Sequence, residues 1–237
     1  MNLKGKNAII TGGGRGLGKA IALILAKEGV HIGITGRNEE NLKTTVEELK
    51  GLGVQAFYSI FSVDEESAVQ KGISDLAKDL GGVDILINNA GIGDFGSIEE
   101  MSSETWEQVI KTNLFGVYYA AKAVYPFLKE KGAGDIVNVA STAGLKGGPN
   151  MSAYAASKAA VVSLSQSMMA EWRKQNIRVI TLTPSTIASD MSIDGGLTDG
   201  NPETVLQPED FAEWVRDILK MNRRALIANG SIFSTNP

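Results

Sequence analysis

Short, almost uninterrupted runs of apolar residues alternate along this chain with longer segments in which apolar residues recur every three to four positions. The runs are typical of strands buried on both faces, and the longer segments are typical of helices that cover a sheet. The predicted strands span 7–11, 30–35, 55–61, 83–88, 135–140 and 177–183. The predicted helices span 16–28, 39–52, 64–80, 103–111, 114–129, a segment from 153 onward, and 208–221.

This alternation predicts a parallel sheet with helices on both faces. Right-handed crossovers make such a sheet doubly wound, so we expect a three-layer α/β/α architecture. The chain shows no linker, internal repeat or low-complexity stretch, and its length suits one α/β domain over residues 1–237. Asp64, followed by Glu66 and Ser67, is the predicted N-cap of the third helix.

Composition and charge exclude several classes of function. The chain has 237 residues, a formal net charge of −4, 43% apolar and 21% charged residues. The negative balance argues against a general nucleic-acid binder. No apolar run approaches the ~18 residues of a membrane helix, and the start MNLKGK lacks an apolar signal region, so we expect a cytoplasmic protein. Because there is no cysteine and a single histidine, His31, in a predicted strand, we expect no metal site, disulfide, thiol catalysis or Ser-His-Asp triad.

The junction between the first strand and the first helix is rich in glycine and reads TGGGRGLG over 11–18. Glycines let a backbone turn tightly and approach a pyrophosphate at the positive end of the following helix. The junction lacks the Lys-Ser/Thr ending of a nucleotide-triphosphatase loop, which favours a dinucleotide over a simple tight turn, the alternative. The residues predicted to hold the dinucleotide here are Gly12, Gly14, Arg15, Gly16, Leu17 and Gly18.

The end of the second strand carries no acidic residue. A sheet that binds NAD usually places a carboxylate here, which bonds the ribose hydroxyls and repels a 2′-phosphate. This chain has Gly36 and Arg37 instead, and Arg37 together with Arg15 is suited to bind a phosphate. We therefore expect NADP(H) as the cofactor; the alternative is that both arginines are solvated surface residues.

A hydroxyl, a tyrosine and a lysine occur in the segment 141–158, STAGLKGGPNMSAYAASK. Tyr154 and Lys158 are four residues apart on a predicted helix and therefore share a face. A tyrosine is a weak acid with an ordinary pKa near ~10, and an adjacent ammonium lowers that pKa. Ser141 follows a buried strand and can reach the same space from the other side. By itself the YxxxK pair is also compatible with a chance pair on a solvated helix face.

Five motifs together resemble the short-chain dehydrogenase/reductase family over nearly the whole chain. They are T-G-x-x-x-G-x-G at 11–18, N-N-A-G at 88–91, the asparagine of K-T-N-L-F-G at Asn113, Ser141, and Y-x-x-x-K at 154–158. Within that family the chain is similar to bacterial 3-oxoacyl-(acyl-carrier-protein) reductases and their paralogues. The resemblance implies a Rossmann fold, a nicotinamide cofactor and catalysis without a metal ion.

The resemblance also implies roles for individual residues. Tyr154 is the implied acid–base residue, Lys158 binds the nicotinamide ribose and lowers the pKa of the tyrosine, and Ser141 polarises the substrate carbonyl. Asn113 is implied to hold a water in a proton relay behind the lysine. Further implied cofactor contacts are made by Asn89, Ala90, Gly91, Pro184 and Ile187.

The chain departs from the family pattern at three places. Phe61 stands where the family has an aspartate that contacts adenine, with Asp64 three residues later. Pro184-Ser185 replaces Pro-Gly, and the segment 185–207 after it is the expected substrate loop. Its glycines suggest a mobile lid, with an ordinary surface loop as an equal alternative. The tail from 225 onward differs from the strand and turn that end close relatives, and no strand is predicted there.

The function expected from the resemblance is NADPH-dependent reduction of a ketone, with a 3-oxoacyl thioester of fatty acid biosynthesis as the first substrate. Alternatives are a sugar, polyol or xenobiotic ketone as substrate, or an NADP(H)-binding sensor without turnover. Acyl carrier protein is a possible partner, and the cations expected to meet it near the site entrance are Lys129, Lys131, Arg173 and Lys174. Helices 114–129 and 153 onward are expected to build the interfaces of a homotetramer.

Overall fold

The computed structural model describes residues 1–235 and shows strands and helices in regular alternation. The strands are β1 (Asn7–Thr11), β2 (His31–Gly36), β3 (Ala56–Ile60), β4 (Ile85–Asn88), β5 (Gly134–Val139), β6 (Ile177–Pro184) and β7 (Asn229–Ile232). The helices are α1 (Gly16–Lys27), α2 (Glu39–Gly51), α3 (Glu66–Leu80), α4 (Ser103–Ile110), α5 (Gly116–Lys131), α6 (Ser152–Trp172), α7 (Asp190–Asp194) and α8 (Pro208–Lys220).

All seven strands run parallel in one sheet, in the order β3-β2-β1-β4-β5-β6-β7. The register is continuous through the centre, where Ile9 of β1 pairs with Gly33 of β2 and with Leu86 of β4. The strand order reverses between β1 and β4, which opens a crevice at the carboxyl ends of these two strands. The doubly wound α/β prediction is therefore confirmed.

Two apolar cores, one on each face of the sheet, hold the three layers together. Helices α1, α2 and α8 supply residues such as Leu25, Leu49 and Phe211 to one core. Helices α3, α5 and α6 supply residues such as Ile73 and Val124 to the other. Strands buried between two helix layers must be apolar on both faces, which is why the sequence shows continuous rather than alternating apolar runs.

A chain of buried amides and a hydroxyl fixes α6 relative to the sheet. Asn88 Nδ2 donates to Asn138 Oδ1 at 2.8 Å, and Asn138 Nδ2 donates to Ser165 Oγ at 2.8 Å. These bonds link β4, β5 and the middle of α6. Because each polar group would be costly to bury alone, the network favours one placement of the helix.

The structure differs from the sequence-based expectation in three local features. The segments predicted as separate helices at 103–111 and 114–129 join through a π-helical turn, Lys111–Phe115. The N-cap of α3 is Glu65 rather than Asp64, whose carboxylate instead accepts a hydrogen bond of 2.6 Å from Gln108 of α4. The tail forms a strand, β7, which pairs with β6 and which the sequence does not predict, because NGSI has no apolar run. The last two residues of the tail, 236 and 237, lie outside the described residues.

Candidate active site

A cavity of about 1030 Å³ opens at the carboxyl edge of the sheet. It is lined by the segments at the carboxyl ends of all seven strands β1–β7. The residues on these segments include Gly12, Gly36, Phe61, Asn89, Ala140 and Pro184. A ligand as long as a dinucleotide can therefore contact many separate parts of the sequence at once.

The glycine-rich turn after β1 packs too closely for larger residues. Gly12 has a φ of +68°, and a Cβ on Gly18 would lie only 2.2 Å from the Gly12 carbonyl oxygen. Asn89 supports the turn, since its Nδ2 donates to the carbonyl oxygens of Thr11 and Gly12 at 3.0 and 3.2 Å. The spacing of the glycines thus has a direct steric cause, and Asn89 both lines the cavity and holds the turn.

The amino terminus of α1 opens into the cavity in a form that fits an anion. No side chain caps this end of α1, and its first turn contains no acidic residue. Gly16 has a φ of +52°, and a Cβ added to it would meet open space. Helix amides without a side-chain partner, at the positive end of the helix dipole, form a suitable cradle for a pyrophosphate.

Two arginines lie at the rim of this cradle. Arg15 precedes α1 and pairs with Asp190 of α7 at 3.1 Å, with both side chains largely exposed. Arg37 follows β2, lines the cavity and is exposed. The residues that line the cavity after β2 are Gly36, Arg37, Asn38, Asn41 and Leu42, a set without a carboxylate.

Ser141, Tyr154 and Lys158 line the same cavity, although 141 and 158 are separated by a loop and a helical turn. Tyr154 and Lys158 share one face of α6, with Lys158 Nζ 5.6 Å from the centre of the tyrosine ring. Lys158 Nζ donates to the Val139 carbonyl oxygen at 2.9 Å, which ties α6 to the end of β5. The arrangement places two hydroxyls and an amine around one space.

The approach of the Ser141 loop to α6 depends on a glycine. Ser141 is the N-cap of a short 3₁₀ turn, Thr142–Gly144, and its Oγ accepts a hydrogen bond from Ala143 N at 3.2 Å. A Cβ on Gly144 would lie 2.6 Å from the Lys158 backbone carbon. Gly144 therefore lets the turn rest directly on α6, which brings Ser141 towards Tyr154.

Asn113 is fully buried in the π-helical turn and is held by three hydrogen bonds. Its Oδ1 accepts from Ile92 N at 2.8 Å, and its Nδ2 donates to Ile92 O at 2.9 Å and to Ser157 Oγ at 3.1 Å. Ser157 in turn donates to the Tyr154 carbonyl oxygen at 2.7 Å. Single π-helical turns are frequent at functional sites, where the extra residue re-aims a side chain.

Gly91 separates Asn113 from Lys158 at the floor of the cavity. A Cβ on Gly91 would lie 3.1 Å from Asn113 Oδ1 and 3.6 Å from Lys158 Nζ. The amide and the ammonium therefore flank the same glycine. Sequence reasoning missed Ser157 in this arrangement, because a serine inside a helix of small residues carries no distinguishing pattern.

Burial, rather than the neighbouring ammonium, dominates the titration of these groups. Burial raises the pKa of the Tyr154 phenol above its ordinary value, and the Ser141 hydrogen bond acts in the opposite direction. Burial lowers the pKa of Lys158 to about 8. The direction of the Tyr154 pKa is therefore opposite to the lowering expected from the sequence, because desolvation is its largest cause.

Phe61 stands where the family pattern has an aspartate, and its apolar ring is buried. A Cβ on Gly72 of α3 would lie 2.3 Å from the Phe61 ring, so the ring fills the space that this glycine leaves. The next two residues, Ser62 and Val63, line the cavity beside it. Position 61 therefore presents an aromatic ring and no carboxylate to the cavity.

The segment 185–207 is more ordered than a simple loop. It contains α7, whose N-cap Ser189 exchanges hydrogen bonds with Ser192, and a bridge between Ile187 and Leu206. Gly196 and Gly200 have positive φ angles of +66° and +76°, which the turns after α7 require. Ile187 and part of α7 line the cavity, as expected of a substrate loop, whereas lid motion stays a prediction.

Several cavity residues escaped the sequence analysis. They are apolar and come from distant segments: Phe95, Leu145, Met151, Met191, Leu197 and Phe233. Phe233 follows β7, so the tail that departs from the family pattern reaches the mouth of the site. Single apolar residues in loops give no periodic signal, and only their position in space identifies them.

The four cations expected near the site entrance lie at the opposite edge of the sheet. Lys131 pairs at 2.6 Å with Asp84, which immediately precedes β4. Arg173 and Lys174 lie in the 3₁₀ turn that leads into β6, and Lys129 lies with Lys131 in the last turn of α5. The expectation is wrong because helices of a doubly wound sheet end at the amino edge of the strands, away from the cavity.

Residues 1–235 contain neither a metal-binding cluster of side chains nor a helix suited to a membrane. In that range no group of three or more histidine, aspartate or glutamate side chains comes together in a way that would hold a metal ion. Of the helices in the same range, none combines the length and apolarity needed to cross a membrane. His31 accepts a hydrogen bond from Gln55 N at 3.1 Å, which is a structural use of its ring.

Four known relationships agree with this site. Residues 6–197 match the family described as short chain dehydrogenase. The chain is 33% identical over 225 residues to 3-oxoacyl-(acyl-carrier-protein) reductase FabG of Staphylococcus aureus, covering 94% of this chain and 91% of that protein. It is 31% identical over 214 residues to gluconate 5-dehydrogenase of Gluconobacter oxydans, covering 90% and 80%. A solved alcohol dehydrogenase from the archaeon Thermococcus sibiricus, complexed with 5-hydroxy-NADP, superposes with a TM-score of 0.90 at 30% identity over 98% of this chain and 97% of that one.

Proposed function

Because this chain belongs to the short-chain dehydrogenase family, whose members are oxidoreductases acting on CH–OH and C=O groups, we propose that it reduces a ketone to a secondary alcohol with NADPH. The observation that carries the proposal is the convergence of Ser141, Tyr154 and Lys158 in the cavity that the glycine-rich turn also lines. A binding protein without turnover needs the cradle but not this set of hydroxyls and amine.

The residues of the cradle fit a dinucleotide. The uncapped start of α1 and the close-packed glycines would hold the pyrophosphate. Asn89, Ala90 and Gly91 would lie along the adenine ribose, and Tyr154 and Lys158 along the nicotinamide ribose. Pro184 and the backbone of Ile187 would contact the nicotinamide end, where both line the cavity.

The preference for NADPH rests on charge at the rim of the cradle. Arg15 and Arg37 supply two guanidinium groups where a 2′-phosphate would lie, and the cavity wall after β2 offers no carboxylate to bond free ribose hydroxyls.

When bound, the reduced nicotinamide supplies the hydride. The chain's own part is to orient the ketone and to manage the proton. Ser141 and Tyr154 donate hydrogen bonds to the ketone oxygen as negative charge develops on it. Because burial keeps the phenol protonated, Tyr154 holds its proton until that charge accepts it. Lys158, with a pKa of about 8, is protonated at neutral pH and gives a proton to the tyrosinate. A proton from solvent then restores the ammonium, through the water relay that the family resemblance assigns to Asn113, which lies beside Lys158 at Gly91.

A 3-oxoacyl thioester is the proposed first substrate. The apolar side chains around the mouth of the cavity favour an acyl chain over a polyhydroxylated sugar. The similarity to gluconate 5-dehydrogenase keeps a sugar acid as the second candidate, and the exposed Lys146 in the cavity wall is the residue that would meet its carboxylate. Since the four cations named above lie at the far edge of the sheet, they lend no support to acyl carrier protein as a partner.

The decisive experiment follows NADPH oxidation with acetoacetyl thioester, gluconate-derived ketones and simple ketones, in wild type and Tyr154→Phe. We expect turnover of the thioester to fall by about 10²–10⁴-fold in the variant while NADPH binding persists. Tyr125→Phe is the matched control, since it removes a phenol that bonds Gln175 on the other end of the molecule. Undiminished activity in Tyr154→Phe would remove the tyrosine from the mechanism, and NADPH binding without turnover of any ketone would favour the sensor.

The proposed assembly is a homotetramer, as expected of the family. Phe115 and Tyr118, at the start of α5, are 41% and 43% exposed despite their size, which supports a contact between subunits on this helix. Light scattering of the purified protein measures the mass directly, and a monomer at micromolar concentration would contradict the proposal.

A further inference from the structure

Phe95 forms part of the cavity wall beside Tyr154. The two rings meet edge to face, with centres 5.7 Å apart and planes inclined by 63°. This is a favoured aromatic geometry, so each ring restrains the other. Under the proposed function, Phe95 therefore stands next to the position of the ketone.

Two glycines keep the Phe95 ring in this place. A Cβ on Gly93 would lie 2.8 Å from Phe95 Cζ and 3.1 Å from Met191 Sδ. A Cβ on Gly195 would lie 2.9 Å from Phe95 Cε2. Gly195 immediately follows α7, so the substrate loop reaches across and touches the ring. While α7 stays in this position, a ring packed against Tyr154, its own loop and the substrate loop has no room to turn aside, so it acts as a wall of the cavity.

The remainder of this wall is apolar and accessible. Phe233, Leu145, Leu197 and Met191 line the cavity and are 62%, 57%, 43% and 37% exposed. Large apolar side chains that stay in contact with water around a cavity favour an apolar occupant. The wall thus combines an open apolar mouth with one fixed aromatic obstacle near Tyr154.

We propose that Phe95 is the specificity-determining residue of the site, which admits ketones with an unbranched hydrocarbon arm and excludes ketones with a branched or aryl group beside the carbonyl. The inference rests on the proposed function, because it takes the carbonyl to be held by Tyr154. An unbranched arm can extend along the apolar mouth. A branch or ring next to the carbonyl has to occupy volume that the Phe95 ring fills, and the two glycine contacts prevent the ring from yielding.

The test compares acetoacetyl thioester with phenyl isopropyl ketone in wild type, Phe95→Ala and Phe95→Leu. The measured quantity is the ratio of kcat/KM for the bulky ketone to kcat/KM for the thioester. We expect this ratio to rise by at least about tenfold in Phe95→Ala and by less in Phe95→Leu, because even one methylene group changes discrimination by about tenfold or more in such pockets. Phe127→Ala is the matched control, because this ring of α5 packs against the core and does not line the cavity, so the ratio should stay within about twofold. An unchanged ratio in both Phe95 variants overturns the inference.

A binding measurement keeps this inference separate from the proposed function. Phenyl isopropyl ketone should raise the melting temperature of NADPH-bound Phe95→Ala or Phe95→Leu and leave that of the wild type unchanged. If none of the ketones supports NADPH oxidation by the wild type, the proposed function fails. The melting temperatures still decide whether Phe95 excludes bulky ketones from the cavity. Equal shifts in wild type and variants refute the role of Phe95 even when the reductase activity is present.

Discussion

Lys158 gives the sharpest prediction, because the structure places it where it destabilises the fold. The side chain is 5% exposed and has one hydrogen bond, to the Val139 carbonyl oxygen. Burial lowers its pKa from 10.5 to about 8. Holding the charged form in the folded protein at neutral pH therefore costs about 3 kcal/mol relative to the unfolded chain, at ~1.4 kcal/mol for each decade.

The sign of the pH dependence follows from the lowered pKa. Between pH 8 and 10.5 the unfolded chain binds more protons at this lysine than the folded protein does. Stability contributed by this group therefore rises with pH across that window, and the penalty is fully present below pH 8.

Lys158→Met should remove the penalty while keeping the length of the side chain. Loss of the bond to Val139 costs about 1 kcal/mol, so the free energy of unfolding at pH 7 should rise by about 2 kcal/mol over wild type. The variant's advantage in free energy of unfolding should shrink by about 2 kcal/mol between pH 7 and about pH 9.5, because the wild type gains stability as its lysine loses the proton. The same variant should lose ketone reduction, because methionine cannot supply the proton that Lys158 returns to Tyr154.

Urea unfolding of the cofactor-free protein, followed by tryptophan fluorescence at both pH values, measures this. Lys129→Met is the control: Lys129 is exposed, and its substitution should change stability little at either pH. A Lys158→Met variant that is less stable than wild type at pH 7, or a difference that does not vary with pH, would refute the argument from burial.

Three further predictions concern the cofactor cradle. Gly18→Ala places a Cβ 2.2 Å from the Gly12 carbonyl oxygen, so urea unfolding should show a loss of about 1–3 kcal/mol, and equal stability would show that the turn can relax. Arg37→Asp should lower the ratio of kcat/KM for NADPH over NADH by about 10–100-fold, and a constant ratio would count against a phosphate contact. Asp190→Asn frees Arg15 from its 3.1 Å ion pair with Asp190. The NADPH dissociation constant, measured by fluorescence titration, should fall by up to about fivefold, and that of NADH should stay the same. A rise in the NADPH dissociation constant would contradict the idea that Asp190 and the cofactor phosphate compete for Arg15.

Much of the fold was predictable because its signals are local. Continuous apolar runs predicted six of the strands within a few residues, and amphipathic periods predicted the helices between them. The seventh strand was missed because NGSI is partly exposed at the edge of the sheet and pairs on one side only. Its place is decided by backbone bonds to β6, which no local pattern records.

For the candidate site, the sequence by itself determined the residue types and spacings: glycines in the first turn, an arginine after β2, and a tyrosine four residues before a lysine. These depend on neighbours along one turn or helix face, and such contacts are encoded locally. The tertiary structure alone decided that the cations ending α5 and α6 lie at the far edge, that Phe61 is buried, and that Phe95 meets Tyr154 between two glycines. It also decided the direction of the Tyr154 pKa, since desolvation is the sum of contacts from segments far apart in the chain.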